Sequence, residues 1–226
     1  MLGLVDSDLL CYRVGFGSEN DSLPRACQSL DGFIYDLMLF HLPDVFEWEF
    51  HLTGKKNFRD KIAITQPYKG NRAKQKKPKH LNGLRKHLVD KWQAIMHHKQ
   101  EADDGLAIRQ YELGDDSIII SVDKDLDMVT GWHYNFVKHE RYYMTKEEGL
   151  HKFYTQLLTG DRVDNIKGVA GIGPVKAAKM LEGCKTALDK WLVCLEAHDS
   201  RDRAIEDGIL LWMRSTEDEI WLPPDS

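Results

Sequence analysis

The chain of 226 residues is poor in cysteine, and none of its four cysteines forms a CxxC pair. Because no histidine accompanies them at zinc-site spacing, a zinc module is excluded and reduced core thiols are predicted. Long apolar runs are also missing, and the N-terminus lacks the basic and apolar segments of a signal peptide. We therefore expect a cytoplasmic protein with no membrane partner.

Net charge is small and internal repeats are absent. A formal charge of -5 and a pI near 6.1 do not by themselves indicate a nucleic-acid partner. The distribution of charge does, because eight Lys or Arg residues and no Asp or Glu occur between Lys69 and Lys86. The basic arm and the acidic residues are thus separated along the chain.

Acidic residues gather in three short clusters, each where an element is predicted to begin or end. Carboxylates that crowd together repel one another unless cations neutralise them. Clusters with oxygen ligands and no histidine suit hard divalent ions such as magnesium or manganese. Taken singly, each cluster also fits a solvated helix end or turn. The clusters are Glu101, Asp103 and Asp104, then Asp123 and Asp125, then Asp161 and Asp164, and Asp6 joins them after the first apolar run.

Strand and helix patterns alternate in the first half of the chain and predict an α/β sheet. Residues 2–5 form a short apolar strand, and residues 117–122 are apolar through their centre, as in a strand covered on both faces. Ligands of such sheets gather beyond the carboxyl ends of the strands. Asp6 and Asp123 each follow a strand, so we expect them to meet.

The sequence of the second half of the chain predicts helices. Thr145 with Glu148 predicts a capping box, and Gly173 before Pro174 predicts the start of a later helix. Between these helices lies a glycine-rich turn whose backbone N–H groups can grip a phosphodiester without base readout. The same pattern is equally compatible with a plain helix connector.

These motifs together resemble the 5′-nuclease (flap endonuclease) superfamily. They have the order and spacing of bacteriophage 5′-3′ exonucleases and of the nuclease domain of bacterial DNA polymerase I. The resemblance runs from Asp6 to about Leu181. The motifs are Tyr68-Lys69-Gly70-Asn71-Arg72, Glu101-Ala102-Asp103-Asp104, Ser121-Val122-Asp123-Lys124-Asp125, Gly160-Asp161-Arg162-Val163-Asp164, and the glycine run Gly168 to Pro174.

The resemblance implies roles for individual residues. Two Mg²⁺ or Mn²⁺ ions are expected, the first held by Asp6, Glu101, Asp103, Asp104 and Asp123, the second by Asp125, Asp161 and Asp164. Lys69 and Arg72 match residues that contact the scissile phosphate, and Tyr68 is placed to stack near the terminal nucleotide. Further DNA contacts are expected from Lys74, Lys76 and Lys77 in the arm and from Gly168, Gly171 and Gly173 in the hairpin, where family members often hold K⁺.

The implied architecture is a mostly parallel sheet flanked by helices, with a helical arch and a helix-three-turn-helix subdomain. Residues 1–144 would form the nuclease core, with the arch over 69–100, and residues 145–226 the helical DNA-binding subdomain. The implied activity is metal-dependent 5′-3′ exonuclease or flap endonuclease cleavage of DNA near 5′ ends, by a monomer, in phage-type replication or repair. RNA in hybrids is a further substrate, and a viral protein would act in the host cytoplasm.

One departure weakens the first metal site. Family members usually carry an aspartate where this chain has Thr53, and Asp8 has no role in the pattern beyond capping or support. Two other functions stay open. The run Val5-Asp6-Ser7-Asp8 with the later Gly-Asp-x-x-Asp motif at 160–164 also resembles haloacid-dehalogenase phosphatases. That resemblance leaves the Glu101 motif, the basic arm and the hairpin unexplained. A DNA-binding protein with inactive metal sites is the other alternative.

Overall fold

The structure is a computed structural model that describes residues 1–224, with only the backbone described at positions 73 and 74. The chain forms two compact units. Unit 1 contains residues 1–56 and 76–144, and unit 2 contains residues 57–75 and 145–226. The residues around the Tyr68 motif therefore group with the helical C-terminal part of the chain, which the sequence pattern alone did not indicate.

Unit 1 is built on a six-stranded sheet with the order β3-β2-β1-β4-β5-β6. β1 pairs in parallel with both β2 and β4, β4 pairs in parallel with β5, and β5 pairs with β6 in the antiparallel sense. The predicted mostly parallel α/β fold is thus confirmed. The strands are β1 (Leu2–Asp6), β2 (Glu47–Asn57), β3 (Ile95–Lys99), β4 (Ser117–Ile120), β5 (Gly131–Asn135) and β6 (Glu140–Met144).

The central strands are buried on both faces, as the apolar run in the sequence predicts. Ile118 and Ile120 of β4 belong to one core cluster with Val5 of β1. Ile119 alternates with them and is also buried, and a helix packs against the same two strands. That helix is α5 (Ala102–Leu113).

Three further helices of unit 1 pack on one another. Their buried faces supply Leu10, Leu30 and Leu84 to the core cluster. Much of the segment predicted as an arch therefore has local packing: its helix carries buried leucines, and its last residues form β3 in the sheet. The helices are α1 (Ser7–Gly17), α2 (Leu23–Asp36), which continues as a π-helical turn (Leu37–His41), and α4 (Leu81–Trp92).

Unit 2 is helical around an aromatic core. The predicted capping box is present, since Thr145 accepts from the backbone N–H of Glu148 and Glu148 accepts in return. The ring of Trp221 packs against those of Phe153 and Trp191, at centroid distances of 5.3 and 5.5 Å. The elements are α3 (Arg59–Ile62), a 3₁₀ turn (Gly70–Lys74), α6 (Lys146–Thr159), α7 (Pro174–Leu181), α8 (Ala187–Ala197) and α9 (Arg201–Leu211).

A buried arginine ties α3 to the end of α9. The guanidinium of Arg59 donates to the carbonyl oxygens of Leu210 at 2.9 Å and Trp212 at 2.7 Å. These carbonyls belong to the last turn of α9, where acceptors lack helical partners. Over the described part of the chain, no helix has the length and apolar content needed to cross a bilayer.

Gly160 gives a stability prediction. Its φ of 70° and ψ of -176° lie in a region that only glycine adopts readily, and a Cβ there would overlap backbone atoms of residues 166–168. Gly160→Ala should therefore destabilise the protein by about 3 kcal/mol in urea unfolding. Gly171→Ala is the control, because Gly171 has a φ of 75° but open space at its Cβ position. Equal losses would show that backbone conformation alone, and not this contact, sets the cost.

Candidate active site

Two acidic residues lie where the strand order of the sheet reverses. The chain runs from β1 outward to β2 and β3 and returns to the other side of β1 as β4, so β1 and β4 flank the switch point. Asp6 ends β1, and Asp123 follows β4 by three residues. Ser121 joins them, because its hydroxyl donates to Asp6 Oδ2 at 2.7 Å and accepts from the Asp123 N–H at 3.0 Å.

Asp6 and Asp123 also shape the local backbone. Asp6 caps α1, since its Oδ1 accepts from the N–H of Leu9 at 3.1 Å. Asp123 Oδ1 accepts from the N–H of Asp125 at 2.9 Å, which closes the turn between the two acids. Asp125 then begins a short 3₁₀ helix. Three of the predicted ligands are thus held at or just beyond the carboxyl edge of the sheet.

The first turn of α5, residues 101–104, carries the next group of acids, and we call it the acidic turn. Glu101 is the N-cap, and its side chain and that of Asp104 each accept from the other's backbone N–H, which makes a capping box. Asp104 is fully buried and Glu101 nearly so. The positive end of the helix dipole stabilises the charge of all three acids here, including Asp103 in the same turn.

In unit 2, Asp161 and Asp164 lie on one tight loop. Asp161 forms an isolated β-bridge with Ile166, and its Oδ1 accepts from the N–H of Val163 at 2.7 Å. A carboxylate oxygen of Asp161 lies within 4.8 Å of one from Asp164. The structure therefore brings this predicted pair together. Asp125, the third residue predicted for this site, belongs to unit 1.

Asp164 is the centre of the predicted basic motif. The hydroxyl of Tyr68 donates to Asp164 Oδ2 at 2.9 Å, the Lys69 ammonium lies 3.5 Å from the same oxygen, and the Arg72 guanidinium pairs with Oδ1. The Lys69 ammonium also lies 5.1 Å from the centroid of the Tyr68 ring. Two motifs about ninety residues apart in sequence thus form one substructure within unit 2.

The backbone at Lys69 is unusual. Its φ of 52° is left-handed, a conformation that costs a residue with a long side chain of the order of 1 kcal/mol or more. Two backbone bonds hold it, because Lys69 donates to the Asp164 carbonyl and its own carbonyl accepts from Arg72, both at 2.9 Å. Strain of this kind is frequent at functional sites.

The glycine turn has an open face. Gly171 has a φ of 75° and Gly173 a φ of -99°, and an added Cβ at either would meet nothing within 4 Å. Gly168 differs, since its Cβ would overlap the backbone at Gly160. Gly173 caps α7 ahead of Pro174, as predicted. Neither space nor backbone conformation within the chain requires glycine at position 173.

Two lysines of the predicted basic arm, Lys76 and Lys77, are exposed, and Lys76 has an ion-pair partner. The Lys76 ammonium lies 3.1 Å from Glu19 Oε2, and the pair is largely exposed at its lysine end. Lys77 is exposed as well. The side chain of Lys74 lies outside the described residues.

Two histidines next to α5 form a pair that the sequence patterns did not predict. The rings of His51 and His97 stack with centroids 5.0 Å apart, and a hydrogen bond of 2.9 Å joins His51 Nδ1 to His97 Nε2. Burial lowers the pKa of His97 to about 4, and the charge of His51 adds to the shift. The His51 ring, whose Nε2 lies 3.5 Å from Glu49 Oε2, and the Arg109 guanidinium lower the pKa of Glu49 to about 2. Neighbouring β2 and β3 positions make this contact, which local sequence patterns do not reveal.

No model of a protein family matches the sequence. Solved structures do match. A crystal structure of the bacteriophage T5 D15 protein with metal ions superposes with a TM-score of 0.72 and 20% identity, over 93% of this chain and 88% of that one. The chain has the 5′-nuclease fold. A complex of the T5 D15 flap endonuclease with DNA and metal ions gives a TM-score of 0.73 and 22% identity over the same shares.

A more distant likeness points to the same fold. The catalytic core of Rad2 in complex with DNA substrate gives a TM-score of 0.53 and 16% identity, over 80% of this chain and 60% of that one. The predicted resemblance is confirmed at the level of fold.

The histidine pair gives a pH prediction. A histidine with a pKa of 6.5 when unfolded and about 4 when folded resists protonation in the folded state. Its contribution to stability is present above pH 6.5 and is lost as the pH falls toward 4. Glu49 loses its contribution only below its unfolded value of 4.5. Urea unfolding at about pH 7 and about pH 5 should therefore show a drop in stability that His97→Gln reduces.

His98→Gln is the matched control for this measurement, because His98 is the next residue of β3 and is exposed. It should keep the drop seen in the unmodified protein. A drop of unchanged size in His97→Gln would assign the pH dependence to other groups.

Proposed function

We propose that this protein is a divalent-metal-dependent 5′-nuclease that hydrolyses phosphodiester bonds of DNA near 5′ ends. The observation that carries the proposal is the pair of acidic residues at the switch point, where the Ser121 hydroxyl bridges the Asp6 carboxylate and the Asp123 backbone N–H. Ligands of open α/β sheets bind at this position. The structural neighbours, which include nucleases bound to metal ions and DNA, support the same conclusion.

The carboxylates fit divalent cations by their chemistry. They offer only oxygen atoms, and three of those in unit 1 are almost fully buried, where a cation lowers the cost of keeping them charged. Such ions, when bound, would activate water and stabilise the leaving oxygen in phosphoryl transfer. We propose that one is held by Asp6, Glu101, Asp103, Asp104 and Asp123, and a second by Asp125, Asp161 and Asp164.

We propose that the positively charged side chains of Lys69 and Arg72 in unit 2 bind the phosphate at which the bond is cleaved. Lys69 and Arg72 converge on Asp164, which holds both side chains in defined positions before substrate binds. Fixed positive charge that needs no reorganisation stabilises the charge that develops in the transition state. We propose that Tyr68, held by its hydrogen bond to the same carboxylate, stacks against the terminal base.

The glycine turn is proposed to hold duplex DNA. The open space at Gly171 and Gly173 allows a phosphodiester to approach the backbone N–H groups at the start of α7. Family resemblance adds K⁺ at this hairpin as part of the proposal. Lys76 and Lys77 are exposed and would attract DNA through counterion release.

The proposed substrates are DNA flaps and recessed 5′ ends, with RNA of hybrids as a further substrate. The proposed setting is phage-type DNA replication or repair, with the protein acting as a monomer in the cytoplasm. These points rest on the family resemblance of the motifs.

Replacing Asp123 tests the metal assignment. Asp123→Ala should abolish cleavage of a 5′ flap in magnesium and leave DNA affinity nearly unchanged, because it removes a metal ligand and no DNA contact. Asp116→Ala is the control, since this exposed acid lies at the opposite, amino end of β4. A near wild-type rate for Asp123→Ala would remove the two-metal assignment. Flap binding without cleavage by the unmodified protein would indicate the non-catalytic alternative.

Replacing Lys69 tests the phosphate contact. Lys69→Ala should lower the cleavage rate constant by about 10²-fold, as is typical when a preorganised charge is removed from a transition state. DNA affinity should change little. Lys61→Ala, an exposed lysine of α3 in the same unit, should keep the wild-type rate. A loss of affinity alone in Lys69→Ala would make Lys69 a docking residue.

A further inference from the structure

Asp8, Arg85 and Thr53 form a closed set of polar contacts in unit 1. One oxygen of the Asp8 carboxylate pairs with the Arg85 guanidinium, and the other accepts from the backbone N–H of Thr53 at 2.8 Å. A second nitrogen of the same guanidinium donates to the backbone carbonyl of Thr53. Both backbone groups of Thr53 are therefore held by side chains of α1 and α4.

The side chain of Thr53 extends this set to α5. Its hydroxyl oxygen accepts from the backbone N–H of Ala102 at 2.9 Å. Ala102 is the first residue of the helix, where N–H groups have no helical acceptor. The contact fixes the start of the acidic turn relative to β2, and the capping box within the turn then orients Glu101 and Asp104.

The network also explains why Asp8 is not placed as a metal ligand. Both of its oxygens have partners, and one partner is a guanidinium with a quarter or less of its side chain exposed. Arginine suits this position, because its planar group can donate to two acceptors at fixed angles, which a lysine cannot do. Thr53 stands where the resembling family usually has an aspartate. Its hydroxyl accepts from the start of α5, and it has no carboxylate to offer a metal ion.

We propose that Asp8, Arg85 and Thr53 are positioning residues that set the acidic turn for binding of a divalent cation. This inference rests on the proposed metal-dependent function. Partners that orient metal ligands typically contribute about 10-fold to 100-fold in metal affinity. If Arg85 acted only through its charge, its removal would strengthen cation binding, because a positive charge near acids opposes the binding of a cation. The sign of the effect therefore separates positioning from charge.

The test is Mn²⁺ binding to the full chain without DNA, followed by the electron paramagnetic resonance signal of free Mn²⁺. Arg85→Met and Thr53→Val should each weaken Mn²⁺ binding by about 10-fold. Thr53→Val keeps the shape and charge of the side chain and removes only the acceptor for Ala102. Thr53→Ser restores that acceptor and should bind Mn²⁺ nearly as the unmodified protein does.

Lys86→Met is the matched control for charge. Lys86 is adjacent on α4, its ammonium pairs with Asp90 on the exposed side, and its loss removes one positive charge as Arg85→Met does. Mn²⁺ affinity should be unchanged or slightly higher in this variant. Thermal unfolding of each variant shows whether it is folded at the temperature used. If Arg85→Met is unfolded, the comparison of Thr53→Val with Thr53→Ser still tests the positioning role.

Three results would contradict the proposal or the function on which it rests. Tighter Mn²⁺ binding by Arg85→Met, or equal binding by Thr53→Val and Thr53→Ser, overturns the positioning role. Tighter binding by Arg85→Met that Asp8→Asn in the same chain abolishes would identify Asp8 as a ligand that Arg85 blocks. Absence of Mn²⁺ binding by the unmodified protein would contradict the proposed metal-dependent function itself.

Discussion

The parallel pairing of β1 with β4 is the constraint on which the rest of unit 1 depends. Residues that are far apart in sequence become neighbours there, and the two strands end at the same edge. The reversal of strand order at this pair leaves a place beyond the strand ends that crossover helices do not cover. Asp6 and Asp123 both lie at this edge, and the hydroxyl of Ser121 bridges the Asp6 carboxylate and the Asp123 backbone N–H.

Unit 2 depends in the same way on one carboxylate. Asp164 accepts from Tyr68 and pairs with both cations of the basic motif, so it fixes three side chains at once. The strained backbone at Lys69 is maintained by the same loop. The conformation of the motif at residues 68–72 therefore depends on a loop about ninety residues later in the chain.

Sequence patterns predicted the features that local chemistry determines. The apolar run of β4, the capping box at Thr145 and the start of α7 at Pro174 all depend on neighbouring residues. The capping box of Glu101 and Asp104 was not predicted from the acidic cluster, and it forms because Glu101 lies just before the helix and its carboxylate turns to the backbone.

Contacts between distant segments could not be read from the sequence. The network of Asp8, Arg85 and Thr53 joins three elements, and the stacking of His51 on His97 requires the pairing of β2 with β3. The grouping of residues 57–75 with the C-terminal helices also depends on long-range packing, notably by Arg59. No periodicity or motif spacing signals such contacts.

The most direct test of the account is the size of the products from a 5′ flap labelled at its 5′ end, incubated with the protein in magnesium or in excess chelator. A metal-dependent 5′-nuclease should give short labelled products from cuts near the junction or the 5′ end in magnesium, and should leave the substrate intact with the chelator. Undiminished cleavage in the chelator, or no cleavage in magnesium by a folded protein that binds the flap, would contradict it.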